Sequence, residues 1–251
     1  MLYIVAAMED ELLGLQRELD ALGASQGVGF PLEFHLVGVG PRNSGQIMAS
    51  AIVNGRRRPQ GVLMLGVAGA VEPGRETGEL VLSGNYVRDS AVEPAEPISP
   101  DQTLLEVAEA AAAEARMPVY RSDSLTVDHL VTEGWERQQH RENYRVGTVN
   151  MEDHAVAAAA QAEGVPFLSV RVILDTAEQP LPGYLPKLYR SRNALVGEVL
   201  LRPWRIPTLR RLKSQMELCQ SVLTRFGLSF IQKEAERRRS AREAEAADAI
   251  Y

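Results

Sequence analysis

Two kinds of stretch alternate along this chain. Short, almost unbroken apolar runs occur at Leu2-Tyr3-Ile4-Val5-Ala6-Ala7, at Gly61 to Val67 and at Val165 to Leu174. Such runs read as strands buried on both faces of a parallel sheet. Further strands are predicted at Glu33–Val39, Glu79–Ser83 and Val119 to Leu125. Between them, helix-like stretches are predicted from about Asp10 to Leu22, Asn43 to Asn54, Asp101 to Ala115 and Asp153 to Glu163. Strand and helix in alternation predict an α/β fold. The run Asp89 to Asp101, with three prolines, reads as a surface loop. Near the C-terminus Leu209, Leu212, Met216, Cys219, Val222, Leu223 and Phe226 share one face at steps of three and four, which predicts an amphipathic helix. That helix packs on the domain, packs across a dimer, or lies on a membrane surface, where Trp204, Arg202 and Arg205 would add to the contact.

A length of 251 residues with 45% apolar content supports a sizeable core. The expected organisation is an α/β domain over residues 1–190, a basic helical extension over 191–232 and a charged, frayed tail over 233–251. Net charge is −6, but residues 198–239 hold ten Lys or Arg against four Asp or Glu, so the rest of the chain carries −12. An acidic body argues against nucleic acid as a partner, because phosphate binding needs a basic face. A lone cysteine, Cys219, excludes internal disulfides and points to a reducing, cytoplasmic setting. No segment reaches the roughly 18 apolar residues of a spanning helix. No histidine pair has ligand spacing, so neither metal nor cofactor is expected.

The chemistry concentrates in two motifs. Val149-Asn150-Met151-Glu152-Asp153 and Arg171-Val172-Ile173-Leu174-Asp175 set carboxylates at the ends of neighbouring elements. Asp175 stands just past a strand end, where open α/β sheets hold ligands. Glycine-bearing turns are expected at Gly38-Val39-Gly40, at Gly66-Val67-Ala68-Gly69 and at Pro73-Gly74, letting backbone approach a ligand closely. The first does not complete a dinucleotide fingerprint, since Asn43 stands where the third glycine is needed; this disfavours a nucleotide-cofactor oxidoreductase.

Five blocks fall in a telling order: Ala6-Ala7-Met8-Glu9-Asp10-Glu11; Gly38-Val39-Gly40-Pro41-Arg42-Asn43-Ser44; Leu65 to Ala70 with Gly78 to Val81; Val149-Asn150-Met151-Glu152; and Asp175. Together they resemble the purine nucleoside phosphorylase and nucleosidase superfamily over about residues 1–180. Within it the chain looks most like the hopanoid-associated, adenosylhopane nucleosidase branch, through Phe167 to Pro182 and Leu200 to Leu212, and next most like the methylthioadenosine/S-adenosylhomocysteine nucleosidases. The resemblance implies a three-layer fold around a mostly parallel, mixed sheet and a homodimer or larger assembly. It also implies removal of adenine from a 5′-substituted adenosine, a small-molecule partner.

The resemblance implies roles residue by residue. Asp175 protonates adenine at N7, which needs a carboxyl whose pKa is raised by an apolar strand end. Glu11 activates the attacking water, Glu152 holds the ribose hydroxyls, and Met151 packs on the sugar. Asn150, Val67, Ala68, Gly69, Leu130, Val131 and Arg171 complete the expected binding set. Each residue also has a bland reading. Asp175 suits a turn, Glu11 a helix first turn, and Met151 and Leu130 a core.

Departures from the nucleosidase pattern carry information too. Val67 replaces a hydroxyl residue and cannot hydrogen-bond phosphate, which favours hydrolysis, although Arg42 and Arg88 remain candidate anion ligands. Asn150 replaces an acid, so one charge at the ribose side is expected to be absent. Leu174 stands where many relatives place Ser, which leaves the orientation of Asp175 open. A non-catalytic nucleoside-binding protein is the remaining alternative, against which Glu11 and Asp175 argue.

Overall fold

The computed structural model describes residues 1–24, 28–89, 95–179, 181–183 and 205–248. In chain order the elements are β1 (Leu2–Ala6), α1 (Glu9–Ala21), β2 (Leu32–Leu36), α2 (Pro41–Asn54), β3 (Val62–Ala70), β4 (Leu80–Arg88), α3 (Gln102–Glu114), β5 (Val119–Thr126), α4 (Gly134–Tyr144), β6 (Thr148–Asn150), α5 (Asp153–Ala162), β7 (Phe167–Asp175) and α6 (Ile206–Asp248). The expected α/β alternation holds. Two elements escaped the sequence reading. β6 is only three residues long, and α4 is polar almost throughout, so neither shows an apolar run.

The strands form one mixed sheet in the order β2-β1-β3-β6-β5-β4-β7, and β3 also pairs with β7. The five strands β3, β6, β5, β4 and β7 therefore close on one another, and β1 and β2 extend from β3. Pairings β1–β2, β1–β3, β3–β7, β4–β5 and β5–β6 are parallel, whereas β3–β6 and β4–β7 are antiparallel.

Side-chain alternation on β1 explains the layers. Leu2, Ile4 and Ala6 join Leu12, Leu15 and Leu19 of α1, Leu104 and Ala108 of α3, and Leu223, Phe226 and Phe230 of α6 in one core. Tyr3 and Val5 point the other way, into a core with Met48 and Ile52 of α2 and Val156 and Ala160 of α5. A strand apolar on both faces is what such a three-layer arrangement requires.

One expectation is corrected here. Gly66-Val67-Ala68-Gly69 is not a turn but the second half of β3. Its glycines serve close approach, since a Cβ at Gly66 would collide with the Arg171 guanidinium. α6 runs unbroken through the division drawn at residue 233, with Glu234 buried and held by Arg237 and Arg238. Of the arrangements expected for the apolar stripe of α6, packing on the domain is the one observed: Cys219, Leu223 and Phe226 are buried there. The 190/191 boundary, Arg202 and Trp204 lie outside the described residues. Among the described residues no helix is long and apolar enough to cross a membrane.

One irregularity matters for the site. β3 and β7 pair residue for residue up to Ala68↔Ile173, but Gly69 then pairs with Asp175, leaving Leu174 as an extra residue in β7. Such a bulge re-aims the side chains beyond it.

Candidate active site

A cavity of about 750 Å³ opens where β1, β3, β5, β6 and β7 end. Its walls include Met8, Glu11, Val39, Val67, Ala68, Gly69, Leu130, Val131, Arg137, Met151, Glu152, Leu174 and Asp175. Three buried carboxyls thus reach one space from three separate stretches of chain.

Glu11 comes from the first turn of α1, and its side chain folds back on the strand ends. Oε2 accepts the amides of Ala7 at 3.0 Å and Met8 at 2.9 Å, and Oε1 accepts that of Val67 at 3.0 Å. Burial raises its carboxyl to a pKa of about 7; Arg171 opposes the rise, Glu152 adds to it, and the Met8 and Val67 amides oppose it. A carboxyl poised there exchanges a proton at neutrality, as a general base must.

Glu152 precedes α5. Its Oε1 accepts the Gly40 amide at 3.2 Å and its Oε2 meets Arg171 Nη2 at 3.3 Å. Gly40 has φ +95° at the start of α2, a left-handed conformation that suits glycine and that turns its amide toward Glu152. Burial pushes the Glu152 carboxyl upward, against Arg171 and the Gly40 amide.

Arg171 sits behind Glu152 and is not among the residues lining the cavity, which corrects its expected place in the binding set. It is 1% exposed. Its Nε and Nη2 reach Asp153 Oδ1 at 2.9 and 2.6 Å, and Nη1 donates to the Val67 carbonyl at 3.3 Å. Asp153 also accepts from Ser169 Oγ at 2.6 Å, Ser124 Oγ at 3.1 Å and Asn150 Nδ2 at 2.8 Å. Asp153 is wholly buried and does not line the cavity, so its charge serves Arg171 and not the ribose side. Asn150 is itself consumed in bracing this turn: Oδ1 accepts the amides of Glu152 at 2.9 Å and Asp153 at 2.8 Å.

The Asp175 end of the cavity differs from expectation. Asp175 is 3% exposed at the tip of β7 and lines the cavity, as its expected role requires. It is not, however, surrounded only by apolar groups. Nη2 of Arg137, from α4, forms an ion pair with its Oδ2. Burial pushes the Asp175 carboxyl above the ordinary range, while Arg137 and the Leu181 amide pull it down. Arg137 is 2% exposed, and it also donates to the carbonyls of Ala70 at 2.8 Å, Val131 at 3.0 Å and Thr176 at 3.3 Å.

Residues 4–185 match the family model of the Phosphorylase superfamily. The chain belongs to that superfamily. Similar solved structures include a futalosine hydrolase of Helicobacter pylori, at 18% identity over 92% of this chain and 97% of that one, with a TM-score of 0.70. A mutant 5′-methylthioadenosine/S-adenosylhomocysteine nucleosidase of H. pylori, holding 5′-methylthioadenosine in its active site, shares 18% identity over 92% and 98% of the chains at a TM-score of 0.72. The Campylobacter jejuni nucleosidase of the same name gives 18%, 89%, 98% and 0.62. At such identities these likenesses establish the fold.

In this phosphorylase-superfamily chain the remaining expected residues divide. Val67, Ala68, Gly69, Leu130, Val131 and Met151 all line the cavity. Val67 contributes main chain, its amide to Glu11 and its carbonyl to Arg171. Met151 serves both of its readings, because it faces the cavity and packs on a small core with Val71 and Leu125. Arg42 and Arg88 are exposed and do not line the cavity. His129 stands on the cavity wall with Nδ1 2.7 Å from Asp128 and Nε2 against Glu136, and its pKa is raised, chiefly by Asp128.

Two residues were missed. Asp153 had a signal, since an arginine inside an apolar strand requires a buried acid. Arg137 had none, as it lies in a polar helix outside every matching block.

Proposed function

We propose that this chain hydrolyses the N-glycosidic bond of a 5′-substituted adenine nucleoside and releases adenine, with adenosylhopane as substrate and ribosylhopane as product. The observation that carries the reading is Glu11, buried in the cavity with a pKa of about 7, beside Glu152 and in one cavity with Asp175. Glu11 takes a proton from water as its oxygen attacks C1′. Glu152 accepts from the ribose hydroxyls, its charge held in place by Arg171. Asp175 meets the base at N7 and the 6-amino group. Apolar Val39, Leu130, Val131, Leu174 and Leu181 on the same cavity suit an apolar nucleoside substituent.

The reaction sets a condition on Asp175. An aspartate gripped by a guanidinium has no proton to give, so the Arg137 pair has to part when adenine enters. That pair is the observation favouring the non-catalytic alternative. A third reading, methylthioadenosine/S-adenosylhomocysteine nucleosidase, draws support from the solved structures with that activity in their names.

Assembly and membrane contact belong to the same proposal. Leu36, Val39, Ile47 and Val53 are exposed apolar side chains suited to cover by a second copy. Exposed Arg210, Lys213 and Arg225 on α6 suit an anionic surface.

The test incubates the purified protein with adenosylhopane and with methylthioadenosine, each with and without phosphate, and measures free adenine and the sugar product. Faster release from the hopanoid, without phosphate, is expected. Release only from methylthioadenosine moves the assignment to the small nucleosides, and no adenine from either rejects the enzymatic reading.

A further inference from the structure

The stretch from Val127 to Glu133 joins β5 to α4 and supplies one wall of the cavity, including Asp128, His129 and Leu130. It is tied at both ends. The Val127 amide donates to the Asn150 carbonyl at 2.8 Å, and Arg137 Nη2 donates to the Val131 carbonyl at 3.0 Å. Between those ties, among the described residues, no hydrogen bond joins the main chain of Asp128, His129 or Leu130 to other main chain. The His129 side chain fastens the middle.

Both ring nitrogens of His129 face carboxylates, Nδ1 toward Asp128 at 2.7 Å and Nε2 toward Glu136, in the first turn of α4, at 2.5 Å. An ionised carboxylate only accepts, so two such neighbours call for a proton on each nitrogen, which is the imidazolium. The Asp128 side chain is 85% exposed and lies on the same stretch, whereas that of Glu136 is 16% exposed and belongs to the helix. The contact with Glu136 therefore does most of the fastening.

Glu136 has a second imidazole to turn to. His140 lies one turn further along α4, its Nε2 3.7 Å from the same Oε1, buried and without a hydrogen-bond partner among the described residues. One carboxylate thus stands between a nitrogen that it holds and a nitrogen that it leaves unpaired. Loss of the His129 proton leaves that ring one donor for two carboxylates, and the balance then tips toward His140.

We propose that His129 is a positioning residue, a clasp that in its charged form holds the Asp128 to Leu130 wall against α4 and opens when Glu136 turns to His140. The inference rests on the nucleosidase reading above and concerns the grip on the nucleoside, not the cleavage of its bond. Asp128 raises the His129 pKa, burial opposes the rise and Glu136 adds to it. From α2, Arg42 also acts on Asp128, while Arg137 on α4 is committed to Asp175. With a raised pKa the clasp is complete below the ordinary histidine value of about 6.5, and it is lost as pH rises through the raised one.

The experiment follows KM against pH for adenine release from adenosylhopane or, where that is not cleaved, from methylthioadenosine. In unaltered protein KM should rise about fivefold between pH 6 and pH 9, the upper range for a partly exposed ion pair. In His129→Gln KM should be raised about fivefold at every pH with kcat within twofold. In His129→Arg, whose charge does not titrate, KM should stay low throughout. Glu136→Gln should reproduce His129→Gln, and the double variant should be no worse than either alone. A second readout needs no turnover. Trp135 adjoins Glu136 and is 66% exposed, and the chain has only one other tryptophan, Trp204. On a Trp204→Phe background its emission should change with the pH midpoint of KM, and the change should vanish in His129→Gln. A KM that does not move with pH, or a dependence that survives in both His129 variants, overturns the clasp and leaves the nucleosidase reading standing. Release of adenine from neither nucleoside overturns that reading, and the Trp135 emission then decides the clasp: a change lost in His129→Gln supports it, and no change removes it.

Discussion

The two ends of the cavity are built from the same groups in different proportions. At the sugar end Glu11, Glu152 and Asp153 share one cation, Arg171, and all four side chains are buried. At the base end one carboxylate, Asp175, meets one cation, Arg137. Asp153 takes two of the Arg171 donors, so Glu152 gets a single longer contact and Glu11 is held by amides alone. At one end burial, with Glu152 adding to it, raises the Glu11 carboxyl to a pKa of about 7. Parity at the other produces a closed pair that only a ligand of suitable polarity opens. Where a buried acid stands in the queue for its cation decides whether it works as a base or waits.

Removing the acid at the base end should have the largest effect. Asp175→Asn is expected to lower kcat for adenine release by about a thousandfold, within the range for lost general acid catalysis, with substrate affinity little changed. Steady-state kinetics with a binding measurement checks this, and activity above a tenth of the parent contradicts the role. Glu11→Gln should cost about a hundredfold in kcat. In unaltered protein kcat/KM should climb as pH rises through about 7, because Glu11 acts in its ionised form. A flat profile between pH 5 and pH 8 removes Glu11 as the base.

Asp153 tests the shared cation. Asp153→Asn frees Arg171 to turn toward Glu11, so the rising limb of the profile should move to lower pH and kcat/KM should drop about tenfold. Loss of one member of a buried pair should also destabilise the fold by about 3 kcal/mol in denaturant unfolding. Unchanged stability and pH profile together would deny Asp153 its part. The smallest effect is expected for added phosphate. Val67 offers it no hydroxyl and Arg42 and Arg88 lie off the cavity, so millimolar phosphate should change the rate less than twofold.

How much of this was legible follows the same division. The sheet is readable because its central strands are apolar on both faces, and Glu11, Glu152 and Asp175 because they cap strand ends in ordered motifs. Arg171 was seen but misplaced, since nothing in its spacing tells a group on the cavity wall from one behind it. Asp153 was read past for a physical reason: it borders no cavity, and only its buried contacts with Arg171 and Ser169 reveal it. Arg137 could not be read at all. Three of its partners are main-chain carbonyls, which any residues at those positions supply, and the helix that carries it shows no apolar rhythm.

The extra residue in β7 has a consequence of its own. Neighbouring side chains on a pleated strand normally look in opposite directions. Leu174 and Asp175 nevertheless both border the cavity. Deleting Leu174, itself a buried member of the core, would restore regular pairing and change where Asp175 points. The aim of Asp175 hangs on counting as much as on composition, since one residue more or fewer along a single strand decides which way its side chain faces.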